Sequence, residues 1–126
     1  MITKAACKHF EKEPRILAAY VLGSAVHGTL RPDSDVDFGL LLQPGSALSA
    51  LEISDLASEL TLELGRPVDI GLISTHNLIF ARQCVLTGQQ IFCRDFLRAG
   101  LTVATLLGLA RLMDFERREI GHAYPA

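Results

Sequence analysis

Apolar and polar positions change rhythm several times along the chain, and each change marks an element. Residues 3–13 mix charged and apolar positions as a short helix does, and Pro14 stops it. RILAAYVLG (15–23) is apolar almost throughout and predicts a buried strand ending in glycine. Ser24 then caps a short helical turn near 25–29, and RPDS (31–34) is a turn. DVDFGLLL (35–42) predicts a second strand, closed by QPGS (43–46). From Ser46 to Leu64 the period becomes helical. Leu48, Leu51, Leu56, Leu60 and Leu64 share much of one face, and Glu52, Asp55, Glu59 and Glu63 fall mostly elsewhere. Gly65 and Pro67 end that helix. PVDIGLI (67–73) predicts a third strand, 75–87 a helix ended by Gly88, QQIFC (89–93) a short fourth strand, and 94–120 one long helix. Strands separated by helices predict an α/β or α+β sheet domain. The length of 126 residues predicts one domain, 1–126, with no repeat or linker.

Composition narrows the function classes. At 49% hydrophobic residues a core is available, and the formal net charge of −2 gives no global attraction to nucleic acid. Without a basic stripe, a template-binding polymerase is disfavoured and direct nucleic-acid binding is not expected. Any anionic ligand must be held locally. Cys7, Cys84 and Cys93 are widely spaced with no C-x-x-C, which predicts neither a zinc site nor a disulfide framework. His9 and His76 have no ligand partners at useful spacing and are expected at the surface. The charged start, MITKAACKHFEKEP, lacks the apolar centre of a signal peptide. The uncharged stretch between Arg98 and Arg111 reads as too short and too rich in Thr and Gly to cross a bilayer. The expectation is a cytoplasmic protein with no membrane contact. LTVATLLGLA (101–110) is nonetheless apolar around most of its circumference, more than a surface helix requires. That excess predicts a second covered surface, supplied either by a partner chain or by deep burial between the sheet and another helix.

The chemistry concentrates in three places. Asp35 and Asp37, two apart on a strand, project to one face, while Val36, Phe38 and Leu40 point into a core. Adjacent carboxylates repel unless a cation sits between them, and a hard divalent ion such as Mg²⁺ prefers oxygen ligands. The third strand repeats the arrangement, with Asp69 opposite in face to Val68, Ile70 and Leu72. If the two strands are neighbours, three carboxylates can hold two metals roughly 3.5–4 Å apart for in-line phosphoryl transfer. Gly23 and Ser24 complete the site: glycine permits close backbone approach, and a hydroxyl with free N–H groups makes an anion-binding nest. Any one feature alone also fits a plain turn, cap or strand-edge charge. Their order along the chain favours a nucleoside triphosphate site.

Gly23-Ser24, ten residues, Asp35-Val36-Asp37, and then GRPVDI with Asp69 resemble the DNA polymerase β nucleotidyltransferase superfamily. The nearer likeness, over roughly 15–120, is to its minimal nucleotidyltransferases (MNT), commonly the antitoxin halves of HEPN–MNT toxin–antitoxin modules. The resemblance implies an α/β nucleotidyltransferase fold, a small mixed β-sheet packed against helices, with a long C-terminal helix. It implies that Asp35, Asp37 and Asp69 ligate Mg²⁺ and that Asp69 helps deprotonate the attacking hydroxyl. Gly23 and Ser24 would hold the triphosphate, with Arg31 supplying nearby charge. The implied reaction is transfer of AMP from ATP to a tyrosine of a cognate HEPN RNase toxin, bound as a hetero-oligomer, with release of pyrophosphate. Two other readings are weighed against it: nucleotidyl transfer to a small molecule such as an aminoglycoside, whose enzymes usually carry a further acceptor-holding domain, and non-enzymatic neutralisation by occlusion. One departure stands out. Relatives often read GSxARG where this chain reads GSAVHG, so His27 stands where arginine is usual and is charged only when protonated. In the tail, Arg117, His122 and Tyr124 match the R-x4-H-x-Y spacing of HEPN toxins. The chain has no room for that bundle beside this domain, so the match reads as chance.

Overall fold

The computed structural model describes residues 2–23 and 35–123, with side chains through residue 114. The elements are α1 (Ile2–Lys12), β1 (Ile16–Leu22), β2 (Val36–Leu42), α2 (Ala50–Leu64), β3 (Val68–Ile73), α3 (Leu78–Thr87), β4 (Gln89–Cys93) and α4 (Phe96–Ala123). The strands form one mixed sheet in the order β3-β2-β1-β4. β1 pairs antiparallel with β2 and β4, and β2 pairs parallel with β3. This is the expected architecture: a small mixed sheet packed against helices, with a long C-terminal helix.

β1 is central in the sheet and buried at every position, which is why its sequence lacks a polar alternation. Its side chains divide between two cores. Ile16, Ala19 and Val21 join Val36, Phe38 and Leu40 against Ala6 and Phe10 of α1 and Leu60 of α2. Leu17, Ala18, Tyr20 and Leu22 join Leu41 and Ile73 against Ala81 and Cys84 of α3 and Ala99 and Leu106 of α4. Phe10 meets Phe38 edge-to-face at 5.5 Å, fixing α1 over β2.

The helix starts differ from the sequence reading. α2 begins at Ala50, not Ser46. Ser49 is its cap, with Ser49 Oγ accepting from the Glu52 N–H at 3.1 Å and Glu52 Oε1 accepting from the Ser49 N–H at 3.1 Å. Within α2, Ile53, Leu56, Ala57, Leu60 and Leu64 face inward, and Leu51 is 71% exposed. α3 likewise begins after Asn77, whose side chain accepts from the Phe80 N–H. Gly65 ends α2 in the left-handed conformation at φ 70°.

His9 is not the idle surface residue expected. It reaches from α1 to Glu59 and Glu63, one turn apart on α2. α4 also departs from expectation. Phe96–Asp114, with mean hydropathy 1.4, is long and apolar enough to cross a membrane by length and composition. The apolar stretch outruns the span between Arg98 and Arg111 because the helix starts at Phe96 and continues through Leu112 and Met113. The inner edge of this stretch, Ala99, Val103 and Leu106, packs in the α3-side core. Its outer side leaves Leu97 and Leu101 more than 60% exposed.

Arg15, in the turn before β1, joins α1, α2 and β1. Its guanidinium lies 2.7 Å from Glu13 and 2.5 Å from Glu52. The Arg15 hydrogen bonds, with the Ser49 N–H, pull Glu52 down to about 2, and hydrogen bonding to Arg15 also lowers Glu13. A carboxylate whose folded value is depressed stabilises the fold above its unfolded value, about 4.5, and loses that contribution as pH falls toward the folded value. The melting temperature of the wild type is therefore expected to drop as pH is lowered from about 4.5 to about 2, and an Arg15→Gln variant to drop less over the same window. Thermal melts across that range check this; parallel curves would refute it.

Candidate active site

Strand alternation decides where the aspartates point. Val36, Phe38 and Leu40 fill the α1–α2 core, so Asp37, Gly39 and Leu41 share the face toward α3. β3 follows the same rule. Val68, Ile70 and Leu72 pack toward α1 and α2, and Ile73 belongs to the α3-side core, which places Asp69 and Gly71 on that second face. The parallel register sets Asp37 opposite Asp69, and the antiparallel register sets Leu22 opposite Asp37. Paired strands lie about 4.8 Å apart, so these positions are adjacent across the sheet. The Val36 N–H donates to the Pro67 carbonyl at 2.9 Å, which pins the two strand entrances together just ahead of both aspartates. Asp35 immediately precedes β2 and is exposed. Asp37 is half-buried and Asp69 exposed.

Gly23 follows β1 with φ 68°, a left-handed conformation that side-chain-bearing residues rarely adopt. A Cβ placed there would lie 3.9 Å from Asp37 Oδ2, so the backbone passes directly beside that carboxylate. The structure thus brings Gly23, Asp37 and Asp69 to one end of the sheet, with Asp35 at its lip. Ser24, His27, Arg31 and Asp33 lie outside the described residues, as do Tyr124 and the side chains of Arg117 and His122.

The site's electrostatics follow from this geometry. Burial pushes the Asp37 carboxyl above its ordinary value, and the charges of Asp69 and then Asp35 push it further. Unneutralised negative charge of this kind, on oxygen donors alone, fits a hard divalent cation. Among the described residues no three His, Cys, Asp or Glu side chains are already drawn together into a metal cage. Strand register, not a preformed cage, is what collects the carboxylates. The sequence reading missed Gly39 and Gly71, which pair with each other one row behind the aspartates. The signal was present in the repeat VDFGLL (36–41) and VDIGLI (68–73).

Residues 4–97 match the family model described as polymerase beta, nucleotidyltransferase. Comparison with curated proteins gives no match. Among solved structures, the chain is similar to one chain of a toxin–antitoxin crystal structure with AMP-PNP, at 21% identity, covering all of both chains, with TM-score 0.82. It is similar at 18% identity and TM-score 0.79, over 98% of both chains, to a chain of a MntA–HpeT toxin–antitoxin mutant bearing two Asp→Glu changes two positions apart. It is also similar to a chain of the tri-AMPylated Shewanella oneidensis HEPN toxin in complex with MNT antitoxin, at 19% identity and TM-score 0.76, covering 99% of this chain and 97% of that one.

Replacing Asp69 by Asn removes the larger of the two charges acting on Asp37. The Asp37 carboxyl should then titrate lower but stay above its ordinary value of 3.8, because burial remains. Asp35→Asn should move it less. Carbon-detected NMR titration of the side-chain carboxyls checks both, and an unmoved Asp37 in Asp69→Asn would show that the two do not interact.

Proposed function

The chain belongs to the polymerase β nucleotidyltransferase family, and from that premise we propose that it is a Mg²⁺-dependent protein adenylyltransferase that neutralises a HEPN toxin as its antitoxin. The observation that carries the reading is the register of Asp37 against Asp69, beside the left-handed turn at Gly23. Acidic oxygen ligands and a close-approach backbone stand together where a triphosphate needs both.

Asp35, Asp37 and Asp69 would hold Mg²⁺, which when bound neutralises the carboxylates and the triphosphate and polarises the α-phosphate. Gly23, Ser24 and Arg31 would hold the triphosphate tail of ATP. A tyrosine hydroxyl of the toxin attacks the α-phosphorus as the bond to the bridging oxygen of the β-phosphate breaks. AMP stays on the tyrosine oxygen, pyrophosphate leaves, and Asp69 takes the hydroxyl proton. The half-buried setting of Asp37 partly excludes water from that carboxylate, which strengthens the charge interactions it makes.

The partner reading has its own support. The outer face of α4 leaves Leu97, Leu101 and Leu112 more than half exposed. Between α3 and α4 runs an apolar groove lined by Ile79, Leu86, Ala110 and Met113, with the Arg82–Asp114 ion pair at 2.9 Å beside it. Exposed apolar side chains gathered on one face support association with a partner. The similar chains come from toxin–antitoxin complexes, one of them with an AMPylated toxin.

The test is the intact mass of the co-expressed partner after incubation with ATP and Mg²⁺. Whole AMP units should appear with wild type and be lost with Asp35→Asn/Asp37→Asn. The double variant should stay folded and melt no lower without metal, since it relieves like-charge repulsion. Ser24→Ala should lower kcat/KM for ATP about ten- to a hundredfold, the worth of one charge-assisted hydrogen bond of ~1.5–3 kcal/mol. Tight partner binding with no mass gain from any nucleotide would replace this reading with occlusion. Transfer to an aminoglycoside but not to the partner would replace it with a small-molecule nucleotidyltransferase.

A further inference from the structure

Side chains of α3 fill the space over the two strands that carry the aspartates. A Cβ on Gly71 would lie 2.5 Å from Cζ and 2.7 Å from Cε2 of Phe80. A Cβ on Gly39 would lie 2.6 Å from Cys84 Sγ, and one on Gly88 2.5 Å from the Cys84 carbonyl and 2.8 Å from Leu22 Cδ2. All are shorter than real side chains tolerate. Gly39 and Gly71 do not have positive φ, so conformation does not explain them. Their requirement is space. They face each other in the register, in the row directly behind Asp37 and Asp69 on the same sheet face. Cys84 is fully buried and Ala81 is 1% exposed, and Phe80 is partly buried, so this side of α3 is packed on the sheet. Leu22, which Gly88 adjoins, is the register partner of Asp37.

We propose that Gly39, Gly71, Phe80 and Cys84 are positioning residues for the carboxylates: α3 pressed onto the two glycines fixes the separation of Asp37 and Asp69, and so the divalent-cation affinity of the pair. The proposal rests on the nucleotidyltransferase reading of that pair. Each contact acts two residues along the strand from an aspartate, on its own face. A methyl group at either glycine has to displace the Phe80 ring or the Cys84 thiol, and in this proposal the displacement is passed to α3 and to the tilt of one strand against the other. Tilting changes the distance between the carboxylates directly.

The test uses Mn²⁺ alone, followed by electron paramagnetic resonance, on the full chain well below each variant's melting temperature. Wild type should bind and Asp37→Asn should not. Gly71→Ala should bind about tenfold more weakly or worse, the range typical of supports behind metal ligands. Gly71→Ala/Phe80→Leu removes the ring atoms that the methyl would strike and should return to within about threefold of wild type. Gly39→Ala and Gly39→Ala/Cys84→Ala give the same comparison on the other strand, and serve if Gly71→Ala does not fold. A merely structural role would lower the melting temperature and leave Mn²⁺ affinity unchanged. A folded glycine variant that binds like wild type overturns the proposal, as do compensated doubles that fail to fold or to recover affinity. Wild type that binds no Mn²⁺ is a different result: it overturns the metal-site reading itself, and this proposal with it.

Discussion

Two acidic residues held opposite each other on adjacent parallel strands set the terms for the rest of this structure. Asp37 and Asp69 are in register, and the cost is visible in the Asp37 carboxyl, pushed up by burial and by its neighbours. Nothing in the packing alone favours such a pair. Like charges directly across a ladder destabilise it. The surrounding residues must therefore hold β2 and β3 together against that repulsion, and they do so from both faces. On one face Val36, Phe38 and Leu40 are sunk against Phe10 and Leu60. On the other, Leu41 and Ile73 meet α3, and the bare backbones of Gly39 and Gly71 leave room for the Cys84 thiol and the Phe80 ring. The hydrogen bond from Val36 to Pro67 closes the end nearest the charges.

The polar ties around the α1–α2 face serve the same frame from further away. Arg94, after β4, donates to the carbonyls of Phe10, Glu11, Glu13 and Ile16, and its guanidinium lies 5.2 Å from the Phe92 ring centroid. One side chain thus satisfies the open end of α1 and the entry of β1 together. Arg15 does comparable work between Glu13, Glu52 and the Ala47 carbonyl. These ties fix where β1 starts, and β1 carries Leu22 and Gly23 to the aspartates.

The strands were legible because their signal is local. An aspartate among Val, Phe, Ile and Leu at period two states its own face, and the sequence reading of the four strands agrees with the structure to within a residue at either end. Helix starts were less legible. Ser46 and Ser49 both look like caps, and only Ser49 has a glutamate three residues on to close the reciprocal bond. The sequence reading groups Leu51 with the inward leucines, but at five residues before Leu56 it lies well off their face and is exposed. His9 was unreadable for a different reason: its partners, Glu59 and Glu63, are some 50 residues away in sequence and meet it only when α1 and α2 pack. The glycines of the twin VDxGL segments were in plain view, but a glycine within a strand has no meaning until the element lying on it is known.

α3 is where the chemistry and the surface meet. Its inner side, Ala81 and Cys84, is buried, and its Phe80 ring lies on Gly71. Its outer side presents Ile79 and Leu86, 65% and 59% exposed, to the groove it shares with α4. A helix whose side chains fill the space over bare glycine backbone is tightly packed on its sheet, and sliding it opens voids there. A protein bound along the groove therefore meets a surface already fixed relative to Asp37 and Asp69. The inner side of the same helix, through Phe80 and Cys84, packs on the strands that carry those carboxylates.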